Sequence, residues 1–195
     1  MQILRFSALV DVPWKNGSGG TRNIAKGMIA DKTVWTVSRA DVVQNGPFSD
    51  FTGMMRILTV VSGGAMRLDN PITSLEAELW KPVRFDGALE IWSHLKDGPL
   101  TDLNLMFDPL QCTGDVTLRR GAFDGMTNRP AKGLLAFHVL CGTPMLGDTP
   151  LAEGDTVFID SADEVLHLGE EDAALEIRLT YPAQSNGIKL CIADR

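Results

Sequence analysis

No stretch of this 195-residue chain keeps a 3.6-residue apolar period over three helical turns, while short and often β-branched apolar runs recur from end to end. Examples are Val34-Trp35-Thr36-Val37, Ile57 to Val61, Leu134 to Leu140, Thr156 to Ile159 and Leu175 to Leu179. Turn signals fall between such runs, among them Asn45-Gly46-Pro47, Gly63-Gly64, Asp69-Asn70-Pro71, Asp86-Gly87 and Asp97-Gly98-Pro99. Runs of about 4–8 residues bounded this way read as strands of a sandwich or barrel. The segment nearest to a helix, Ile72 to Trp80, is fenced by Pro71 and Pro82, and its Leu75, Ala77 and Leu79 alternate as in a strand. The chain is therefore expected to be nearly all β.

A weak internal repeat suggests two similar β-units. Ile57 to Met66 aligns with Ala136 to Met145; each is an apolar strand running into a glycine turn and then a short strand containing methionine. Two copies are too few for a solenoid. The segment from Phe107 to Arg129 lies between them and is the expected crossover.

Charge excludes some partners. Lysine plus arginine total 18 against 25 aspartates and glutamates, a net charge of −7. A nucleic-acid binder needs a basic face to displace counterions, and an anionic membrane surface asks for the same. Neither partner is expected. Met1 to Asp11 has no basic leader segment, so the expected location is the cytoplasm. Cys112, Cys141 and Cys191 are odd in number and widely spaced, which fits reduced thiols rather than a disulfide framework or a zinc site. His94, His138 and His167 form no metal-ligand spacing, and no nucleophile elbow is present. No metal, cofactor or catalytic residue is assigned.

Four segments could carry chemistry. In Pro13-Trp14-Lys15-Asn16-Gly17-Ser18-Gly19-Gly20-Thr21-Arg22, glycines allow close backbone approach, which would leave N–H donors beside two cations for a carboxylate or phosphate. A flexible hairpin loop is the plainer alternative. Gly46 to Arg56 combines two phenylalanines, the Ser49 hydroxyl and, at the start of a strand, Arg56, whose planar fork suits a carboxylate; a surface ion pair is its alternative. In Asp102 to Phe107, the set Asp102, Asn104 and Met106 alternates with Leu103, Leu105 and Phe107, so a strand would turn the polar set to one face, either a pocket or solvent. Trp35 and Ser38 offer a pocket wall and a hydroxyl, with core packing the alternative for Trp35.

These segments, together with Trp-Thr-Val-Ser-Arg-Ala-Asp (35–41), Phe-Asp-Gly (85–87) and Asp-Gly-Pro-Leu-Thr-Asp-Leu-Asn-Leu-Met (97–106), occur in order over residues 13–107 and strongly resemble the HutD/Ves family. The resemblance implies a bicupin, two interlocked cupin-type β-barrels (RmlC-like jelly rolls) in one chain. The first unit would span 1–107 and a second, degenerate one 108–195, with strands exchanged between them. It implies a cupin without its metal site, acting as a regulator of histidine utilisation. The ligand would be a small anionic intermediate such as formylglutamate or urocanate. The ligand-binding set carried onto this chain is Lys15, Asn16, Thr21, Trp35, Ser38, Ser49, Arg56, Asp102 and Asn104. The alternative is a metal-independent cupin enzyme, an isomerase, lyase or amidohydrolase, with Asp102 or Asp86 as base beside Lys15 or Arg56. A homodimer is compatible with either.

Overall fold

A computed structural model describes residues 1–160, 164–183, 185 and 187–193. The strands are β1 (Gln2–Leu4), β2 (Asp11–Pro13), β3 (Gly19–Ile29), β4 (Lys32–Val42), β5 (Gly46–Pro47), β6 (Met55–Asp69), β7 (Ser74–Ala77), β8 (Val83–Asp86), β9 (Trp92–Phe107), β10 (Thr113–Arg120), β11 (Phe123–Met126), β12 (Gly133–Cys141), β13 (Met145–Leu146), β14 (Thr149–Pro150), β15 (Thr156–Ile159), β16 (Val165–Leu168), β17 (Ala173–Thr180) and β18 (Lys189–Ile192). A single 3-10 turn, Phe6–Ala8, is the helical element among the described residues. No helix there is long and apolar enough to cross a membrane. The all-β expectation holds.

The chain divides into two compact units. One comprises Val10–Gln111 and Gly187–Arg195; the other comprises Met1–Leu9 and Cys112–Asn186. Of the three points where the chain passes from one unit to the other, the one at Gln111–Cys112 falls inside the expected crossover. The rest of that segment is not a linker: it forms β10 and β11, which pair with β17 and β16.

The unit containing Val10–Gln111 is built on one sheet with the order β18-β3-β4-β9-β6-β7, to which β2, β5 and β8 add at β3, β9 and β6. The C-terminal β18 enters by antiparallel pairing with β3, Ile192 opposite Ala25. Its core gathers Val42, Leu58, Val60, Met66, Leu68, Phe85, Ile91 and Leu100, with Trp14 and Phe48 packed against them. The other unit holds a five-stranded sheet, β1-β15-β12-β17-β10, and a four-stranded one, β11-β16-β13-β14. The N-terminal β1 belongs here, Ile3 opposite Val157. Its core contains Leu135, Phe137, Val139, Leu146, Leu151, Val157 and Leu166. His138 is buried on β12, its Nδ1 2.8 Å from Thr156 Oγ1.

Two expected turns are not turns. Gly63-Gly64 and Asp97-Gly98-Pro99 face each other inside the long antiparallel pair β6·β9, where the register slips between Gly63 and Ala65. Gly63 and Gly98 take φ of 87° and 100°. A Cβ on Gly64 would strike the Lys96 carbonyl oxygen. Left-handed glycine lets a bulge bend the ladder without ending it. The repeat thus diverges: β6 runs on through its glycines, whereas the aligned segment breaks at Gly142 into β12 and β13. Asn70 does make the turn expected of it, its Oδ1 accepting from the N–H groups of Ile72 and Thr73 at 2.8 and 2.9 Å.

Candidate functional site

Strand registry in the unit containing Val10–Gln111 puts a polar patch on one sheet face. On β4 and β9, Thr36, Ser38 and Ala40 stand opposite Met106, Asn104 and Asp102. On β6, Arg56, Leu58 and Val60 stand opposite the same three. Cross-strand partners share a face, so Arg56, Asn104, Asp102 and Ser38 converge. The intervening residues Val37, Leu103, Leu105, Phe107 and Ile57 are buried on the reverse face. The alternation expected of Asp102 to Phe107 is the one observed.

The patch lines a cavity of about 700 Å³. Its wall includes Lys15, Asn16, Thr21, Ser38, Ser49, Arg56, Asp102 and Asn104. The structure therefore brings together eight of the nine residues singled out in the sequence. Trp35 is the exception. It is fully buried (0% exposed), absent from the cavity wall, and packs with its indole over Gly27 on the reverse face. Trp35 and Ser38 are three apart on a strand and so cannot face the same way.

Arg56 is 6% exposed and sits among three rings, its Cζ lying 4.9, 5.2 and 5.1 Å from the centroids of Phe48, Phe51 and Phe85. The local sequence explains this cage. Phe85 stands directly opposite Arg56 in the β6·β8 pair. The Phe48–Phe51 loop is tied down by Phe48 N–H to the Ile91 carbonyl (2.8 Å) and Phe51 N–H to the Gly87 carbonyl (2.9 Å). Gly87 must lack a side chain, because a Cβ there would meet the carbonyl oxygens of Phe51 and Met54. Asp86, between them, is exposed and accepts from Ala88 N–H at 2.9 Å, so it caps a turn and lies off the cavity wall. That removes Asp86 as a base for the enzyme alternative.

The guanidinium meets the sheet through a relay. Arg56 Nη2 donates to Asn104 Oδ1 at 2.8 Å, and Asn104 Nδ2 donates to Asp102 Oδ1. Arg56 Nε has no hydrogen-bond partner among the described residues. Burial lowers Arg56 to about 10 against the pull of Asp102. Burial also pushes the Asp102 carboxyl up to about 7, although Arg56 and the bond from Asn104 draw it down. Arg56 thus stays charged at neutrality while Asp102 stands near its midpoint.

Three donors of the glycine-rich loop are turned inward. Trp14 N–H donates to Gly19 O, Gly17 N–H to Trp14 O, and Ser18 N–H to Asn16 Oδ1, at 2.8, 3.0 and 3.1 Å. Those donors are consumed by the hairpin itself. Arg22 is bound to Asp41 at 2.6 Å and is not on the cavity wall. The tight turn instead presents Trp14, Lys15 and Asn16 to the cavity, with the Trp14 indole N–H held on Thr21 Oγ1 at 2.8 Å. Trp14, Phe48 and Phe51 lie in segments singled out for chemistry but outside the nine-residue binding set, and Phe85 also lies outside that set. No group of three His, Cys, Asp or Glu side chains converges as a metal-binding set among the described residues.

A sequence model of the HutD family matches residues 7–176. A Pseudomonas putida protein described as an uncharacterized 21.2 kDa protein in the hutC 3′ region is 34% identical over 117 residues, 56% of this chain; the chain spans 59% of that relative's length. Protein Ves of Escherichia fergusonii is 30% identical over 141 residues, 71% of this chain and 72% of that one. Among solved structures, a conserved protein of unknown function from Pseudomonas aeruginosa PAO1 superposes with a TM-score of 0.78 at 27% identity, over 92% of this chain and 98% of that one. HutD from Pseudomonas fluorescens SBW25 superposes with a TM-score of 0.81 at 24% identity, over 93% and 99%. The bacterial pirin of Escherichia coli, solved with nickel(II), shares the fold alone, with a TM-score of 0.66 at 9% identity over 93% and 99%. The fold is all-β and cupin-like, and the chain belongs to the HutD family.

Proposed function

We propose that this protein binds a small carboxylate metabolite in the cavity over Arg56 and thereby regulates histidine utilisation, with pathway intermediates such as formylglutamate or urocanate as ligands. The observation that carries the reading is the buried guanidinium. Arg56 borders the cavity, is fixed by three phenyl rings, and keeps Nε without a hydrogen-bond partner among the described residues. A desolvated, pre-oriented arginine with spare donors is complementary to a carboxylate. Family membership and a relative named for the hutC 3′ region support the link to histidine utilisation. The reading includes an architecture of two interlocked cupin-type β-barrels. The entry of β1 into the sheet of β15, and of β18 into the sheet of β3, supports the exchange of terminal strands.

Isothermal titration with formylglutamate, urocanate, formiminoglutamate and glutamate, followed by mass analysis of each mixture, tests it. Saturable binding with ligand recovered intact is expected; no binding of any of the four would sink the proposal. One observation favours a second reading. The Asp102 carboxyl, pushed up to about 7 at the cavity wall, is poised to exchange a proton as an acid–base enzyme requires. Conversion of a ligand in the same experiment would select the enzyme.

A further inference from the structure

The relay beneath the cavity holds one cation and one carboxyl with no third charge between them. Asn104 is the bridge, accepting from Arg56 and donating to Asp102. All three side chains belong to buried residues, at 6%, 4% and 1% exposure for Arg56, Asn104 and Asp102. The residues opposite Asp102 in the ladder, Ala40 on β4 and Val60 on β6, offer it no polar partner. The charged groups that reach it are Arg56 on β6 and, from β4, Arg39 and Asp41. Asp41 is already engaged by Arg22 and Thr101.

A carboxylate arriving at Arg56 would put a second anion beside this buried cation, the one in the relay with Asp102. Two carboxylates against one guanidinium, out of water, carry an uncompensated charge, and the inexpensive remedy is to neutralise one of them. The ligand, held by the guanidinium directly, keeps its charge. Asp102, one amide further away, gives its charge up.

We infer that a carboxylate binding at Arg56 is taken up together with one proton, which Asp102 accepts from solvent, so that occupancy of the site reports pH as well as metabolite concentration. At the relay the charges balance: guanidinium +1, the one carboxylate it holds −1, Asp102 neutral, with Arg39 and Asp41 opposite in sign to each other. The inference rests on the carboxylate site proposed above. The position of the Asp102 midpoint, near neutrality, sets where the coupling is felt. Below it Asp102 already holds the proton and affinity is flat with pH. Above it each bound ligand draws a proton in, and affinity falls toward tenfold per pH unit.

The test is titration of the full chain with formylglutamate, whose carboxylates stay ionised throughout, at about pH 6 and about pH 8 in buffers of different ionisation enthalpy. Wild type is expected to take up close to one proton at the higher pH and almost none at the lower. Asp102→Asn, which mimics the protonated acid, is expected to bind with no uptake and no pH dependence. Binding by wild type without proton uptake at the higher pH overturns this inference and leaves the carboxylate site standing. Uptake that persists in Asp102→Asn assigns the proton to another group and overturns it too. Absence of binding at both pH values removes the site and this inference together. Should the variant not fold, the wild-type proton count alone decides.

Discussion

Arg56 and Asp102 do not touch: Asn104 stands between them, its carbonyl oxygen taking a hydrogen bond from the guanidinium and its amide nitrogen giving one to the carboxyl. This arrangement leaves the outer donors of Arg56 uncommitted, which a direct bidentate Arg56–Asp102 pair would not. A bidentate carboxylate would take two of the five guanidinium donors and leave fewer for a ligand.

Arg56→Ala is expected to weaken carboxylate binding by roughly 1.5–3 kcal/mol, the loss of a charge-assisted hydrogen bond. Arg56→Lys should recover only part of this. An ammonium cannot reproduce the fork, nor lie flat among Phe48, Phe51 and Phe85. Titration of both variants decides the matter, and full recovery by lysine would mean that charge alone is recognised.

Asp102 also bends the stability profile. Its carboxyl is raised from 3.8 to about 7 in the fold, chiefly by burial. Between those values the native state holds a proton that the unfolded chain releases, so the native state is favoured at the acid end. Stability of wild type relative to Asp102→Asn should therefore fall as pH rises from about 4 to about 7, then level off. Denaturant melts of both proteins across that window measure it; a rising difference would contradict the assignment.

Much of this site was legible because strands have a period of two. The alternation of Asp102, Asn104 and Met106 with Leu103, Leu105 and Phe107 assigned each residue a face before any fold was known. The same rule, applied to β4, separates Trp35 from Ser38, and grouping them together overlooked it. The third ring of the phenyl cage was out of reach. Phe85 meets Arg56 only through the β6·β8 register, a pairing set by packing across 29 residues of chain. The glycines of 63–64 and 98 were equally ambiguous, since a left-handed φ serves a turn or a bulge, and only the partner strand distinguishes them.

Gly27→Ala tests the face assigned to Trp35. Gly27 is opposite Trp35 in the β3·β4 pair, and a Cβ built on it falls within the indole. Trp35 is fully buried and cannot swing clear. Overpacking of this kind costs about 1–3 kcal/mol or more. Carboxylate affinity of the folded variant should not change, because the indole points away from the cavity. Weakened affinity with stability intact would return Trp35 to the binding set.

Lys15 and Arg56 both line the cavity, yet they differ in what surrounds them. Lys15 is exposed, on a turn, and its charge is shared with water, whereas Arg56 is desolvated. An exposed charge contributes at most about 1 kcal/mol to an ion pair and acts mainly by steering. Lys15→Ala should accordingly weaken binding less than Arg56→Ala, and its effect should vanish at about 1 M salt, where screening reaches about 3 Å. The loss in Arg56→Ala should persist there, because counterions do not enter a buried contact. Paired titrations at low and high salt separate the two. A Lys15→Ala loss that survives high salt and matches that of Arg56 would mean that the turn closes over the ligand and buries its ammonium against a second carboxylate.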